Sequence, residues 1–281
     1  MLLNLKTIHK PATIEEAVAL LAEPGTYPLY GGVALQRTSD PAVEAGIDLA
    51  NLELDYVRDS ENSLRLGSML TLEQVRQVCA ERGEEYPRLG AIADILGEEM
   101  PEAQRNTMRL GDLLMERDPQ SLTLTLFMAL GGVIKRIDAD MHFTMTAWYS
   151  NPGEIARYLI AHIRIPRRPT TSVVAHEKVA RTPADAPIVG AVACVDVNPQ
   201  GQPYFYTTLA VCGASPTPLP QAGVARALDE TGDLDMALGL LTLDPPDDYL
   251  GSREYRAVMA RTLSRRVLSE AMEKAQQMIG D

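Results

Sequence analysis

A helix opened by its own capping residues, closed by Pro-Gly and followed at once by a strand that runs into a double glycine most constrains this chain. Thr13-Ile-Glu-Glu16 is a capping box, in which the threonine hydroxyl accepts a first-turn N–H and the glutamate reaches back. Ile14, Ala17, Val18 and Leu21 follow at i, i+3, i+4 and i+7, one apolar helix face. Pro24-Gly25 stops the helix. Tyr27-Pro-Leu-Tyr30 is a short strand ending in Gly31-Gly32, and Ile47–Leu52 reads as the next strand. A double glycine directly after a strand lets backbone N–H groups point outward and approach a phosphate closely. The same dipeptide also makes a plain tight turn, and alone it does not separate the two.

Further along, Leu64–Ser68 alternates as a strand, and Thr71-Leu-Glu-Gln74 is a second capping box, opening a helix through Ala80. Tyr86–Leu96 is helical and ends at Gly97. After the polar Arg105-Asn106 comes Gly111-Asp112, a second glycine site. Then follow the apolar stretch Leu122–Leu130 and the strands Val133–Ile137 and Leu159–Ile165. Pro166-Arg-Arg-Pro169 is the most plausible boundary. Beyond it, Ile188–Val197 and Tyr204–Cys212 form a hairpin around Asn198–Pro203, and helices follow at Ala222–Leu228, Leu234–Leu241 and Ser252–Met278. The architecture is α+β with a βαβ-like start, divided as lobes 1–55, 56–168 and 169–281.

Charge and cysteine usage exclude several function classes. With 26 Lys+Arg against 38 Asp+Glu the net charge is −12 and the pI about 4.9, which disfavours nucleic acid. The basic clusters Arg164/Arg167/Arg168 and Arg261/Arg265/Arg266 read as solvated faces or interface charges. Cys79, Cys194 and Cys212 are far apart and the four histidines are scattered, so no metal site is expected. No apolar run is long enough to span a membrane, and the N-terminus has no secretory pattern, so a cytoplasmic, reducing setting fits. Glu98-Glu99 and Asp247-Asp248 read as solvated carboxylates, and no catalytic set can be proposed from spacing.

The order of these pieces resembles the FAD-binding medium subunit of the molybdenum hydroxylases, the carbon monoxide dehydrogenase and xanthine dehydrogenase flavoprotein family. His9-Lys-Pro-Ala-Thr-Ile-Glu-Glu-Ala-Val-Ala-Leu-Leu21 is similar to that family's R-P-x-S-x-E-E-A-L-x-L-L. Pro28-Leu-Tyr-Gly-Gly-Val-Ala-Leu35 stands at its A-G-G-T-D-L, and Arg105-Asn106 opens its R-N-x-x-T-I-G-G-N. Lys178-Val-Ala-Arg181 with Asp185, Gly213–Pro218, and Gly251-Ser-Arg-Glu-Tyr-Arg256 with Arg265-Arg266 resemble its C-terminal motifs in order.

The resemblance implies a two-lobed FAD-binding domain of the PCMH-like kind, followed by a C-terminal α+β domain. It implies an electron-transfer flavoprotein subunit of a molybdopterin-dependent dehydrogenase, with a molybdopterin-binding large subunit and a 2Fe-2S small subunit as partners. Both glycine loops would wrap the FAD diphosphate across a cleft. The cofactor-binding residues would be Tyr30, Gly31, Gly32, Val33, Ala34, Arg109, Leu110, Gly111, Asp112 and Lys178. The chain departs from the pattern in both loops. Val33 replaces a Thr hydroxyl, Ala34 a polar residue, and bulky Tyr30 an Ala. Arg109-Leu-Gly-Asp-Leu113 stands for T-I-G-G-N, and Leu122 for an Asp. Asp112 would set a carboxylate against the diphosphate, where Arg109 offers partial compensation. The alternative is a flavin-less structural or assembly subunit of the same fold. A third reading is a cleft for another nucleotide or a small acid.

Overall fold

The structure, a computed structural model, describes residues 4–38, 41–137, 139, 141–150, 157–167, 171–182, 185–198 and 205–280. They form two compact units, each assembled from several stretches of chain. The first holds Met1–Val75, Glu102–Arg117 and Gly132–Pro166; the second holds Arg76–Pro101, Asp118–Gly131 and Arg167–Asp281. Segment 56–168 is thus shared between the units. Its helices within 76–101 and 118–131 cluster with the C-terminal residues because their apolar faces pack on a sheet formed there.

The first unit begins with β1 (Thr7–His9), α1 (Ile14–Leu21), β2 (Thr26–Leu29), α2 (Val33–Thr38) and β3 (Ala45–Asp48). The strands form a parallel sheet in the order β1-β3-β2. The Thr13 hydroxyl accepts the Glu16 N–H at 3.2 Å, while the Glu16 carboxylate reaches one residue further than expected and takes the Ala12 N–H at 2.8 Å. The strand expected over Ile47–Leu52 ends early. The Asp48 carboxylate accepts the Ala50 N–H at 3.0 Å, and a 3-10 turn over Ala50–Leu52 closes on Glu53 in the left-handed region.

A second, antiparallel sheet of this unit holds β4 (Val57–Ser60), β5 (Ser63–Gly67), β6 (Val133–Arg136), β7 (His142–Thr144) and β8 (Ile160–Pro166) in the order β4-β5-β8-β6-β7. Leu64, Leu66, Ile134, Ile163 and Ile165 are fully buried on one face, so the alternate residues stand on the other. Between β5 and β8 in sequence run α3 (Leu72–Glu81), α4 (Pro87–Glu99), α5 (Glu102–Thr107), α6 (Leu110–Glu116), α7 (Leu122–Ala129) and α8 (Met145–Ser150). Thr71 and Gln74 cap α3 reciprocally, at 3.1 and 2.8 Å. The helix expected to stop at Gly97 continues to Glu99. A mid-helix glycine costs only about 1 kcal/mol, which burial of Ile92, Ile95 and Leu96 offsets.

The second unit is built on the antiparallel strands β9 (Ser172–Val179), β10 (Val189–Val197), β11 (Phe205–Cys212) and β12 (Leu219–Pro220), ordered β12-β11-β10-β9. The β10–β11 hairpin pairs as its sequence predicts; the tip of its loop lies outside the described residues. Every residue of β10 is buried, because α7 packs against it as does the C-terminal helix Arg253–Gly280. Its polar member Asp196 takes a bidentate pair from Arg88 at 2.6 and 2.7 Å, plus the Ser172 hydroxyl at 2.6 Å. Glu99, expected to be solvated, is half-buried and accepts the N–H groups of Leu122 and Thr123 at the start of α7. Its carboxyl is pushed above the usual range by that burial, against the opposing pull of the Thr123 bonds. Among the described residues no helix is long and apolar enough to cross a membrane.

Candidate functional site

The two glycine segments lie in the first unit and meet. β2 delivers Tyr30 to Gly31-Gly32, and Gly32 adopts a left-handed conformation (φ +80°) that turns the chain into α2. Arg109 pairs with Thr71 across an isolated bridge and leads into α6. From the third position of that helix the Asp112 side chain reaches back to the first loop. Its carboxylate accepts the Ala34 N–H at 3.3 Å and the Arg109 N–H at 3.3 Å. The N–H groups of Gly31 and Val33 also bond to it. A Cβ on Gly31 would fall 2.6 Å from Asp112 Oδ2, so the absence of a side chain there is what admits the carboxylate.

Asp112 is 2% exposed, and burial raises its pKa above the ordinary aspartate value; the N–H donors of Ala34, Arg109, Gly31 and Val33 oppose that rise. The surrounding groups are occupied as well. Leu110 N–H donates to Leu70 O at 2.9 Å and Gly111 N–H to Ser68 O at 2.8 Å. The Arg109 guanidinium donates to Met69 O at 2.8 Å, away from the loop. Tyr30 lies over Gly111, where an added Cβ would come within 2.1 Å of its ring. The Tyr30 hydroxyl accepts Ile160 N–H at 2.7 Å and donates to Tyr158 O at 3.2 Å, which fixes the ring.

Of the residues expected at the site, Tyr30, Gly31, Gly32, Val33, Ala34, Arg109, Leu110, Gly111 and Asp112 are brought together. Lys178 belongs to the second unit, on β9, with Nζ 3.3 Å from Asp185 O. Arg105 does not face the loops: it is buried against Glu73, its Nε 2.6 Å from the carboxylate. Sequence reasoning did not find that Asp112 bonds the first loop. The signal available was a carboxylate three residues past the start of a helix, at a place where the resemblance has glycine.

Residues 4–168 match the family described as the FAD binding domain in molybdopterin dehydrogenase. This chain belongs to that family. The carbon monoxide dehydrogenase medium chain of Afipia carboxidovorans is 26% identical over 95% of this chain and 96% of its own length. A carbon monoxide dehydrogenase from Hydrogenophaga pseudoflava superposes with a TM-score of 0.81 at 20% identity, covering 96% of this chain and 98% of that one. Quinoline 2-oxidoreductase from Pseudomonas putida 86 gives 0.79 at 21%, covering 98% of each. The fold is that of the carbon monoxide dehydrogenase flavoprotein subunits, and FAD is the family's cofactor.

The residues present do not fit a flavin diphosphate between these loops as they stand. The N–H groups of Gly31, Val33 and Ala34 already hold an anion, that of Asp112. A second anion about 4 Å away at an effective dielectric near 20 is opposed by on the order of 4 kcal/mol.

Proposed function

We propose that this chain is the medium subunit of a molybdenum-hydroxylase complex whose diphosphate site is filled by its own Asp112, so that FAD is held weakly or not at all. Partner chains, a molybdopterin-binding large subunit and a 2Fe-2S small subunit, supply the metal centres in this reading. In such a complex the flavin, when bound, supplies the electron-carrying chemistry, and the protein supplies binding and orientation. The family membership and the match along 95% of the chain support the subunit role. The observation that carries the flavin-poor reading is the Asp112 carboxylate on the backbone of the first glycine loop. It favours a subunit retained for assembly over one that transfers electrons itself. Three buried cysteines that form no disulfide suit a reducing cytoplasm.

The test is a titration with FAD followed by quenching of flavin fluorescence. The unmodified chain is expected to bind weakly. Asp112→Gly combined with Val33→Thr and Leu113→Asn removes the internal anion and restores donors, and should tighten binding by roughly a hundred- to a thousandfold. Tight binding by the unmodified chain, unchanged in the triple variant, would overturn the reading. Co-expression with a molybdopterin-binding chain and a 2Fe-2S chain tests the subunit role separately, by co-purification.

A further inference from the structure

The outer face of the β4-β5-β8-β6-β7 sheet concentrates positive charge in a chain whose net charge is −12. Cross-strand register aligns Arg58 with Arg65 and Arg65 with Arg164. The next row on the same face aligns His162 with Lys135 and Lys135 with His142. Arg58 and Arg65 are exposed and Arg164 is half-buried. Among the described residues, none of these three arginines has a carboxylate within ion-pair distance. Tyr56 stands beside them, with the Arg58 guanidinium 4.4 Å over its ring and its hydroxyl 2.7 Å from His162 Nδ1.

Like charges directly opposite one another on a sheet destabilise it, so folding alone does not favour this row. His162 stands on the same face, in the next row. Burial and the neighbouring Arg65, His142, Lys135 and Arg58 together lower its pKa to about 4. An occupant carrying negative charge would relieve this repulsion. Adjacent strands are about 4.8 Å apart, close to the 5–6 Å between side chains three or four residues apart on a helix. A ladder of carboxylates therefore matches the arginine row, and each guanidinium can take a carboxylate through two parallel N–H bonds. Arginine with tyrosine on one flat patch is also the composition of energetically dominant protein–protein contacts. A nucleic acid is a poorer match. Its many phosphates would meet the repulsion of the whole acidic chain, whereas a protein brings only a local cluster of carboxylates.

We propose that this sheet face, centred on Arg58, Arg65 and Arg164, docks an acidic segment of a partner polypeptide. It stands on the sheet alone and holds whether or not FAD binds. The probe is a fluorescein-labelled ten-residue polyglutamate peptide, titrated by anisotropy in low salt against the full chain. Binding should weaken by tenfold or more in Arg58→Gln/Arg65→Gln/Arg164→Gln. It should weaken further in Arg58→Glu/Arg65→Glu/Arg164→Glu, and should fade as salt is raised. The glutamine variant keeps a polar side chain with the same first three carbons and removes the repulsion, so its fold, checked by circular dichroism, is expected to persist. No binding by the unmodified chain, or equal binding by all three, overturns the proposal. Tighter binding of a labelled ten-nucleotide oligothymidylate than of the peptide overturns it as well.

Discussion

Two regions carry family-like motif residues in this chain, and they are built in opposite senses. In the first unit, glycine-loop N–H groups surround a side-chain anion, Asp112. In the second unit, backbone carbonyls surround a side-chain cation. Arg256, fully buried, donates to Ile188 O at 2.7 Å and Gly213 O at 2.8 Å, and its other nitrogen takes Asp248 at 2.7 and 2.9 Å. Asp248, read from sequence as a solvated carboxylate, is held by this pair well below its usual range, the Arg256 hydrogen bond being the main cause. The difference separates two uses of motif residues. Arg256 ties β10, the end of β11 and the start of the C-terminal helix, so it serves the fold. Asp112 ties two loops whose free N–H groups would serve an anionic ligand. The chain matches the resemblance where the motif holds the fold, and departs from it where the motif would hold the ligand.

Removing the cation should be the more damaging change. Arg256→Met leaves Ile188 O and Gly213 O buried without a donor, at about 1–3 kcal/mol each, so a loss of roughly 3–5 kcal/mol is expected in urea unfolding. A variant as stable as the parent would break the distinction between the two regions.

Two glycines sharpen the contrast at a smaller scale. Gly213 and Gly32 both have left-handed φ, at +72° and +80°. A Cβ on Gly213 would sit 2.1 Å from Ile188 O, whereas one on Gly32 would find only Gln36 Nε2, at 3.8 Å. Gly213→Ala should therefore cost about 3 kcal/mol and Gly32→Ala about 1–2 kcal/mol, the latter being backbone strain alone. Thermal unfolding of both variants measures the difference, and equal shifts would mean that crowding at Gly213 is relieved by movement.

An effect similar in size to that of Gly32→Ala is expected at Asp112. Asp112→Asn keeps one acceptor and turns an amide toward N–H groups, for an expected loss of about 1–3 kcal/mol. The pH dependence carries a sign. The folded-state pKa is raised, so the stability that Asp112 contributes is full below its ordinary value of 3.8 and is lost as pH rises through the raised value. The stability gap between parent and Asn variant should therefore be wider near pH 4 than at pH 7. A gap that widens with rising pH would show that the N–H donors of the loops outweigh the cost of burial.

Local signals were legible in the sequence wherever neighbours along the chain decide the outcome. The Thr13 and Thr71 capping residues, the Pro24-Gly25 stop, the β10–β11 hairpin and the helix near residue 253 each depend on residues a few positions apart. The meeting of the glycine loops joins residues 78 positions apart, and the sequence pointed to it only through the order of motifs that carries the resemblance. What tertiary structure alone decided was the partner of each buried charge. Arg88 finds Asp196 108 residues away, Arg105 finds Glu73 32 residues away, and Arg164 aligns with Arg65, and Arg65 with Arg58, across neighbouring strands. Glu99 turned from a solvated carboxylate into a half-buried helix cap for the same reason. A charged side chain reads alike in sequence whether water or protein solvates it. Asp112 reads as a repulsive intruder in the sequence because its charge and position are all that is visible there. Only the fold shows which N–H groups come within its reach, and burial with those donors makes it the loop's own ligand.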